Sequence, residues 1–226
     1  MFSALFEVQP RKDEWDVYLA RANMRRAELE QAPGFVNDIH YSSLTRDGWI
    51  LSLSGWHDEA SILGWHARMR DDEAGNRHIL PDFRLRVGEV TSDTALPEGQ
   101  KIVERGPDDT EAGDGTYLTL IDAKQTLEWV SANNPQEMAI YLGFDLNSYG
   151  DCISWDIFDS LSSPGEIILV VTWKDAQSAN DHAATQIVPD DARVRVVRVV
   201  RDHAMSSSPG ILQHDPDAPG REAIRA

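Results

Sequence analysis

Residues 2 to 8 are short, apolar and aromatic, stop at Pro10, and predict a strand. Apolar residues then recur at helical spacing: Trp15, Val17, Tyr18, Leu19, Ala22, Met24, Ala27 and Leu29. Arg21, Arg25, Arg26, Glu28 and Glu30 fall on the wet side, Asp13 stands at the N-cap position, and Pro33-Gly34 ends the helix. Two strands follow, 35 to 43 and 49 to 55. They are joined at Arg46-Asp47-Gly48, where glycine supplies the positive φ that a hairpin needs. Asp58 can cap a second helix that ends by Gly75, and residues 83 to 91 alternate as a fourth strand. The order β-α-β-β-α-β is the ferredoxin-like unit.

The chain writes this pattern a second time. Slid along without a gap so that Gly34 falls on Asp151, Tyr41 lands on Phe158, Ser43 on Ser160, Leu44 on Leu161, Gly48 on Gly165, Ile50 on Ile167 and Trp56 on Trp173. Around this second hairpin lie a predicted strand (116 to 121), a helix (123 to 132) broken by Asn133-Asn134-Pro135, a helix (176 to 184) and a strand (192 to 202). Residues 136 to 149 have no counterpart in the first copy and read as a short helix or a lid. Residues 94 to 115, rich in Pro, Gly, Asp and Glu, read as a linker in which 101 to 104 pair briefly as a strand; residues 204 to 226 have the composition of a flexible tail. The fold class is therefore α+β, with a first unit at 1 to 93 and a second at 116 to 203. A four-stranded sheet with helices on one face leaves the other bare, so two such units can bury their bare faces as an intramolecular α+β barrel. Residues 167 to 171, apolar on both faces, fit a strand covered twice.

Charge narrows the partners. A net charge of −17 over 226 residues repels nucleic acid and anionic membrane surfaces. No apolar run approaches the roughly 20 residues of a membrane span, and the N-terminus lacks the pattern of a signal peptide. A soluble, cytoplasmic protein is expected. The single cysteine, Cys152, permits no intrachain disulfide, and His57, His78, His182, His203 and His214 show no metal-ligand spacing. His182 reads as solvated in a polar loop, and Arg84, Arg86, Arg193, Arg195, Arg198 and Arg201 as the wet face of the terminal strands. Gly106, Gly113 and Gly115 lie among acidic residues that would repel phosphate, and no G-x-S-x-G elbow occurs.

The segment GWHDEASILGWHARMRDDEAGNRHILPDFRLRVGEV resembles the Trp, acidic-Ala, second Trp and Tyr/Phe-Arg-x-Arg-Val signature of the antibiotic biosynthesis monooxygenase (ABM) family. Residues 1 to 93 resemble one such domain and 117 to 202 a degenerate second. The resemblance implies a dimeric α+β barrel, here within one polypeptide. It also implies one of two activities: cofactor-free oxidation of aromatic phenols, quinols or anthrones by molecular oxygen, or haem degradation. The haem group uses an Asn on the first strand and a His ten residues after a Trp; here the first strand has no Asn, and Gly75 stands ten residues after Trp65. The expectation is an enzyme with no cofactor, in which His66 or His40 accepts a phenol proton and Trp56, Trp65 and Tyr41 form the pocket. His40 and Tyr41 are strand neighbours and so point to opposite faces; their counterparts are Ile157 and Phe158, so only the first unit carries the polar version. A non-catalytic barrel that binds a small molecule or a protein is the other reading, and whether the duplicated chain pairs again with a second copy stays open.

Overall fold

The computed structural model describes residues 1–74, 82–102, 116–145 and 150–204, and only the backbone of 69–74. The expected end of the second helix at Gly75, His78, His214, most of the linker, residues 146–149 of the extra segment and the tail from 205 lie outside them. The elements run β1 (Phe2–Gln9), α1 (Trp15–Leu29), β2 (Phe35–Ser43), β3 (Ile50–Trp56), α2 (Glu59–Ala74), β4 (Asp82–Asp93), β5 (Tyr117–Lys124), α3 (Leu127–Ala132), α4 (Pro135–Tyr141), β6 (Cys152–Ser160), β7 (Glu166–Trp173), α5 (Ala176–Thr185) and β8 (Arg193–Ala204). All eight strands pair antiparallel and close a barrel in the order β1-β3-β2-β6-β7-β5-β8-β4.

Local chemistry explains the boundaries. Both hairpins turn on glycines with positive φ, Gly48 at 74° and Gly165 at 83°. Asp58 and Asp175 cap α2 and α5, accepting from the backbone N–H of Ser61 (2.8 Å) and Ser178 (2.9 Å). Three expectations shift. Asp13 sits in a 3-10 turn (Lys12–Glu14) rather than capping α1. Residues 123 and 124 extend β5, so α3 starts only after Thr126, whose side chain accepts from Trp129 N–H. Lys101 and Ile102 lie outside any strand, although Lys101 O accepts from the Met1 amino group at 2.9 Å.

The barrel interior is packed with side chains, among them Leu5, Tyr41, Leu51, Leu118, Phe158 and Val170. Its charged residues overturn the expectation of a wet arginine face. Arg86, Arg195 and Arg198 are buried, and the first two belong to a motif that occurs twice. Leu5 pairs with Arg86 and Glu7 with Arg84 across β1 and β4; Leu120 pairs with Arg195 and Asp122 with Arg193 across β5 and β8. Glu7 binds Arg86, and Asp122 binds Arg195. Arg84 reaches across the seam to Asp202 (2.5 Å), and Arg193 reaches back to Asp93 (2.7 Å). A buried charge is tolerated only when paired and hydrogen-bonded, which is why these arginines arrive with carboxylates on the facing strand. Arg46 adds to the first copy, bonding Glu7 and Asp156 at 2.6 Å each. Burial opposes the charge on Glu7, but Arg86 and Arg46 outweigh it and hold the carboxyl at about 2.

Candidate functional site

The outer faces of the two four-stranded sets can be compared position by position. In the first set one row of paired residues reads His40–Ser52–Phe6–Leu85 across β2, β3, β1 and β4, and the next reads Asp38–Ser54–Ala4–Val87. In the second set the matching rows, across β6, β7, β5 and β8, read Ile157–Leu169–Ile121–Val194 and Trp155–Val171–Thr119–Val196. Both rows of the second set are buried beneath Met138, Leu142, Phe144 and Ala179, a continuous apolar core in which α5 rests directly on β5, β7 and β8.

The first set is built differently. No residue of α1 is buried, and α1 approaches no strand as closely as α5 does. Phe6 on β1 and Ser52 and Ser54 on β3 remain half-buried although both strands have neighbours on either side. Small hydroxyls in place of Leu169 and Val171, under a helix that stands off, leave this face partly open, a cleft in the sense that Phe6, Ser52 and Ser54 keep exposed surface where Ile121, Leu169 and Val171 keep none. Its apolar side carries Phe6 and Phe83, with ring centroids 5.7 Å apart, and half-buried Leu85. Its polar side carries Asp38, His40, Ser52 and Ser54. The Asp38 side chain is only 7% exposed; it accepts a hydrogen bond from Ser52 Oγ at 2.9 Å, and its Oδ2 lies 3.7 Å from His40 Nε2.

The expected site residues divide between two places. Trp56 is buried on the outer face, edge-on to Phe35 (5.6 Å) and tilted against Trp65 (6.5 Å), and its indole N–H donates to Ser54 Oγ at 2.9 Å. Ile62 on α2 is fully buried in the same cluster, and His66, one turn beyond it, is half-buried. Trp56 and Trp65 therefore belong to the layer between the first sheet and α2, with His66 following on that helix; His40 shares the outer face but lies on β2, opposite Ser52 and nearer the hairpin. Tyr41 does not. It points into the barrel, where it is buried and its hydroxyl donates to Glu166 Oε1 at 3.2 Å. Burial and the neighbouring Glu166 hold its phenol well above the ordinary value, so Tyr41 is a packing residue separated from the rest by the sheet itself.

His182 is likewise corrected. It lies on the inner face of α5 with no exposed surface, tilted against Trp173 (4.9 Å) and edge-on to Phe144 (5.9 Å), with Nε2 3.3 Å from Gly143 O. Burial lowers its pKa to about 4. Burial also raises the Cys152 thiol to about 12, which leaves it unreactive. Among the described residues, no three His, Cys, Asp or Glu side chains converge to hold a metal, and no helix is long and apolar enough to cross a membrane.

No protein-family model matches the chain. A jasmonate monooxygenase ABM from Pyricularia oryzae is 32% identical over 187 residues, which span 79% of this chain and 85% of the relative. The chain belongs to the ABM monooxygenase family. Two crystal structures of aldoxime dehydratase share its fold at low identity. One, in complex with butyraldoxime, is 12% identical with a TM-score of 0.55, covering 93% of this chain and 83% of the other; the second is 11% identical with a TM-score of 0.51, covering 88% and 80%. In this ABM monooxygenase the cleft supplies a hydrophobic wall, two hydroxyls, a carboxylate and an imidazole side by side. That set can bind a flat apolar molecule and take a proton from it. Asp38, Ser52 and Ser54 did not stand out from the sequence as polar strand residues. The signal that finds them is their replacement in the matched rows by Trp155, Leu169 and Val171.

Proposed function

We propose that this ABM monooxygenase is a cofactor-independent oxygenase that oxidises a small aromatic phenol, quinol or anthrone with molecular oxygen in the cleft of the first sheet. The observation that carries this reading is His40 beside Asp38 on a half-open sheet face whose counterpart is filled with apolar side chains. Such a substrate provides its own electrons. Loss of a proton to His40, or to His66 from the helix side, leaves an anion that passes one electron to oxygen; the radical pair combines as a peroxide, and loss of water leaves the carbonyl. The methylene of an anthrone, or the para C–H and O–H of a phenol or quinol, and one oxygen molecule thus become a quinone-type carbonyl and one water, with no outside reductant. Trp56 and Trp65 close one end of the cleft and keep the anion dry, which strengthens every charge interaction within it.

The two-unit organisation completes the reading. Residues 1 to 93 and 116 to 203 are two ferredoxin-like units paired within one chain, the second having given up its cleft to become scaffold. Linking them raises the effective concentration of the pairing. The name of the Pyricularia relative favours a second substrate class, a jasmonate-like small carboxylic acid.

The test is oxygen uptake in metal-free buffer with dithranol, a naphthohydroquinone and jasmonic acid, comparing wild type with His40→Ala and His66→Ala. Turnover of dithranol or the hydroquinone above the spontaneous rate, lost in one histidine variant, is expected. Turnover of jasmonic acid alone, assayed with NADPH added as the two-electron reductant that its hydroxylation needs, would move the substrate to the second class. Binding of these compounds without turnover would make the protein a non-catalytic small-molecule binder.

A further inference from the structure

We infer that Asp38 is a positioning residue that orients the His40 imidazole. This rests on the reading of the first cleft as the site and adds a residue to it. A carboxylate whose side chain is only 7% exposed is costly unless something on the protein offsets its lost hydration. Two groups do so here, one to each oxygen. Ser52 Oγ donates to Oδ1 at 2.9 Å and fixes the plane of the carboxylate, which leaves Oδ2 turned to His40 Nε2 at 3.7 Å. That separation is an ion-pair distance, longer than a hydrogen bond.

The strand pattern supports the grouping independently. Asp38 and His40 are two apart on β2 and so share the outer face, and Ser52 is the direct partner of His40 on β3. In the second sheet all three are replaced together, by Trp155, Ile157 and Leu169. An aspartate kept only for sheet stability has no reason to appear and vanish in step with a histidine and a serine. With Nε2 facing the carboxylate, Nδ1 is the nitrogen left to receive a proton from a bound molecule. The proton passes from the substrate hydroxyl or acidic carbon to Nδ1, and the positive charge that results faces Asp38.

The experiment pairs kinetics with nitrogen NMR of the His40 ring. Asp38→Asn is expected to lower kcat by roughly ten- to a hundredfold with KM within about twofold. Asp38→Glu should restore part of that loss, and Asp38→Asn added to His40→Ala should cost nothing further, because the aspartate acts only through the imidazole. In NMR the wild-type ring should hold one tautomer, with hydrogen on Nε2, and Asp38→Asn should mix the two. Equal losses from Asp38→Asn with and without His40, or an unchanged tautomer ratio, would overturn the role of Asp38. A tautomer change in a protein that turns over none of the probes would keep Asp38 coupled to His40 and sink the oxygenase reading instead.

Discussion

Asp38 on β2 and Trp155 on β6 occupy the same point in two matching rows of strands: Asp38 stands beside Ser54, and Trp155 beside Val171. One sheet face has kept small polar residues under a helix that stands away from it; the other has been filled. The filled face contributes a continuous core, and the open face contributes a cleft. The chemistry assigned to this chain follows from that difference.

Rewriting the first cleft as the second should therefore remove activity while sparing the fold. The combined variant Asp38→Trp, His40→Ile, Ser52→Leu replaces one buried carboxylate and two polar groups by apolar surface. It is expected to melt near the wild-type temperature, since removing a carboxylate with little exposure offsets apolar side chains that α1 covers only in part. Turnover and ligand binding should both vanish. Thermal denaturation followed by oxygen uptake checks it, and an active triple variant would place the site elsewhere.

His182 should give the protein an acid-sensitive stability well above the usual carboxylate range. Its pKa is about 4 in the folded chain, against 6.5 ordinarily, because burial opposes the charged ring. The unfolded chain binds the proton first, so the stability it contributes is full above pH 6.5 and is lost as pH falls toward 4. The loss amounts to about 3 kcal/mol. His182→Gln should flatten urea-unfolding stability across that window, whereas an unchanged slope would mean that His182 does not titrate on unfolding.

Glu7 acts in a lower window and through the opposite charge. Arg86 and Arg46 hold its carboxyl at about 2, below the ordinary 4.5, so its contribution is present above pH 4.5 and lost as pH falls toward 2. Glu7→Gln leaves the buried Arg86 guanidinium without its anion, while half-buried Arg46 keeps Asp156, and should cost about 3–5 kcal/mol at neutral pH. Chemical denaturation at pH 7 measures it.

The two hairpin glycines should differ in tolerance although they occupy matching places. A Cβ at Gly48 would meet nothing closer than Gln9 at 3.9 Å, so Gly48→Ala pays only for the left-handed backbone, roughly 1–2 kcal/mol. At Gly165 the Cβ would fall 2.0 Å from the backbone oxygen of Gln125, which cannot move without breaking the 2.7 Å bond between Gln125 N and Gly165 O. Gly165→Ala should lower the melting temperature at least twice as far as Gly48→Ala does. Equal drops would show that the loop before α3 yields freely.

Much of this architecture was legible because strand, turn and cap chemistry is local. Gly48 and Gly165 announce their hairpins, Asp58 caps the helix it precedes, and the alternation of His40 and Tyr41 puts them on opposite faces. What escaped depends on what lies opposite a residue in space. Arg86 and Arg195 read as surface arginines because their carboxylate partners sit on another strand, far away in the chain. His182 looked polar until α5 turned it, with Ala179 one helical turn before it, onto Trp173. Tyr41 joined the wrong group because period alone says that two neighbours face apart, without saying which one faces the barrel.

The most direct measurement is calorimetric titration of the protein with the quinone that dithranol yields on oxidation, in wild type, Ser54→Trp and Ala179→Val. One molecule bound per chain is expected. Binding should be abolished when Ser54→Trp fills the first cleft and retained when Ala179→Val disturbs the packed face of the second sheet. Two molecules per chain, or binding indifferent to Ser54→Trp, would contradict a single site on the first sheet.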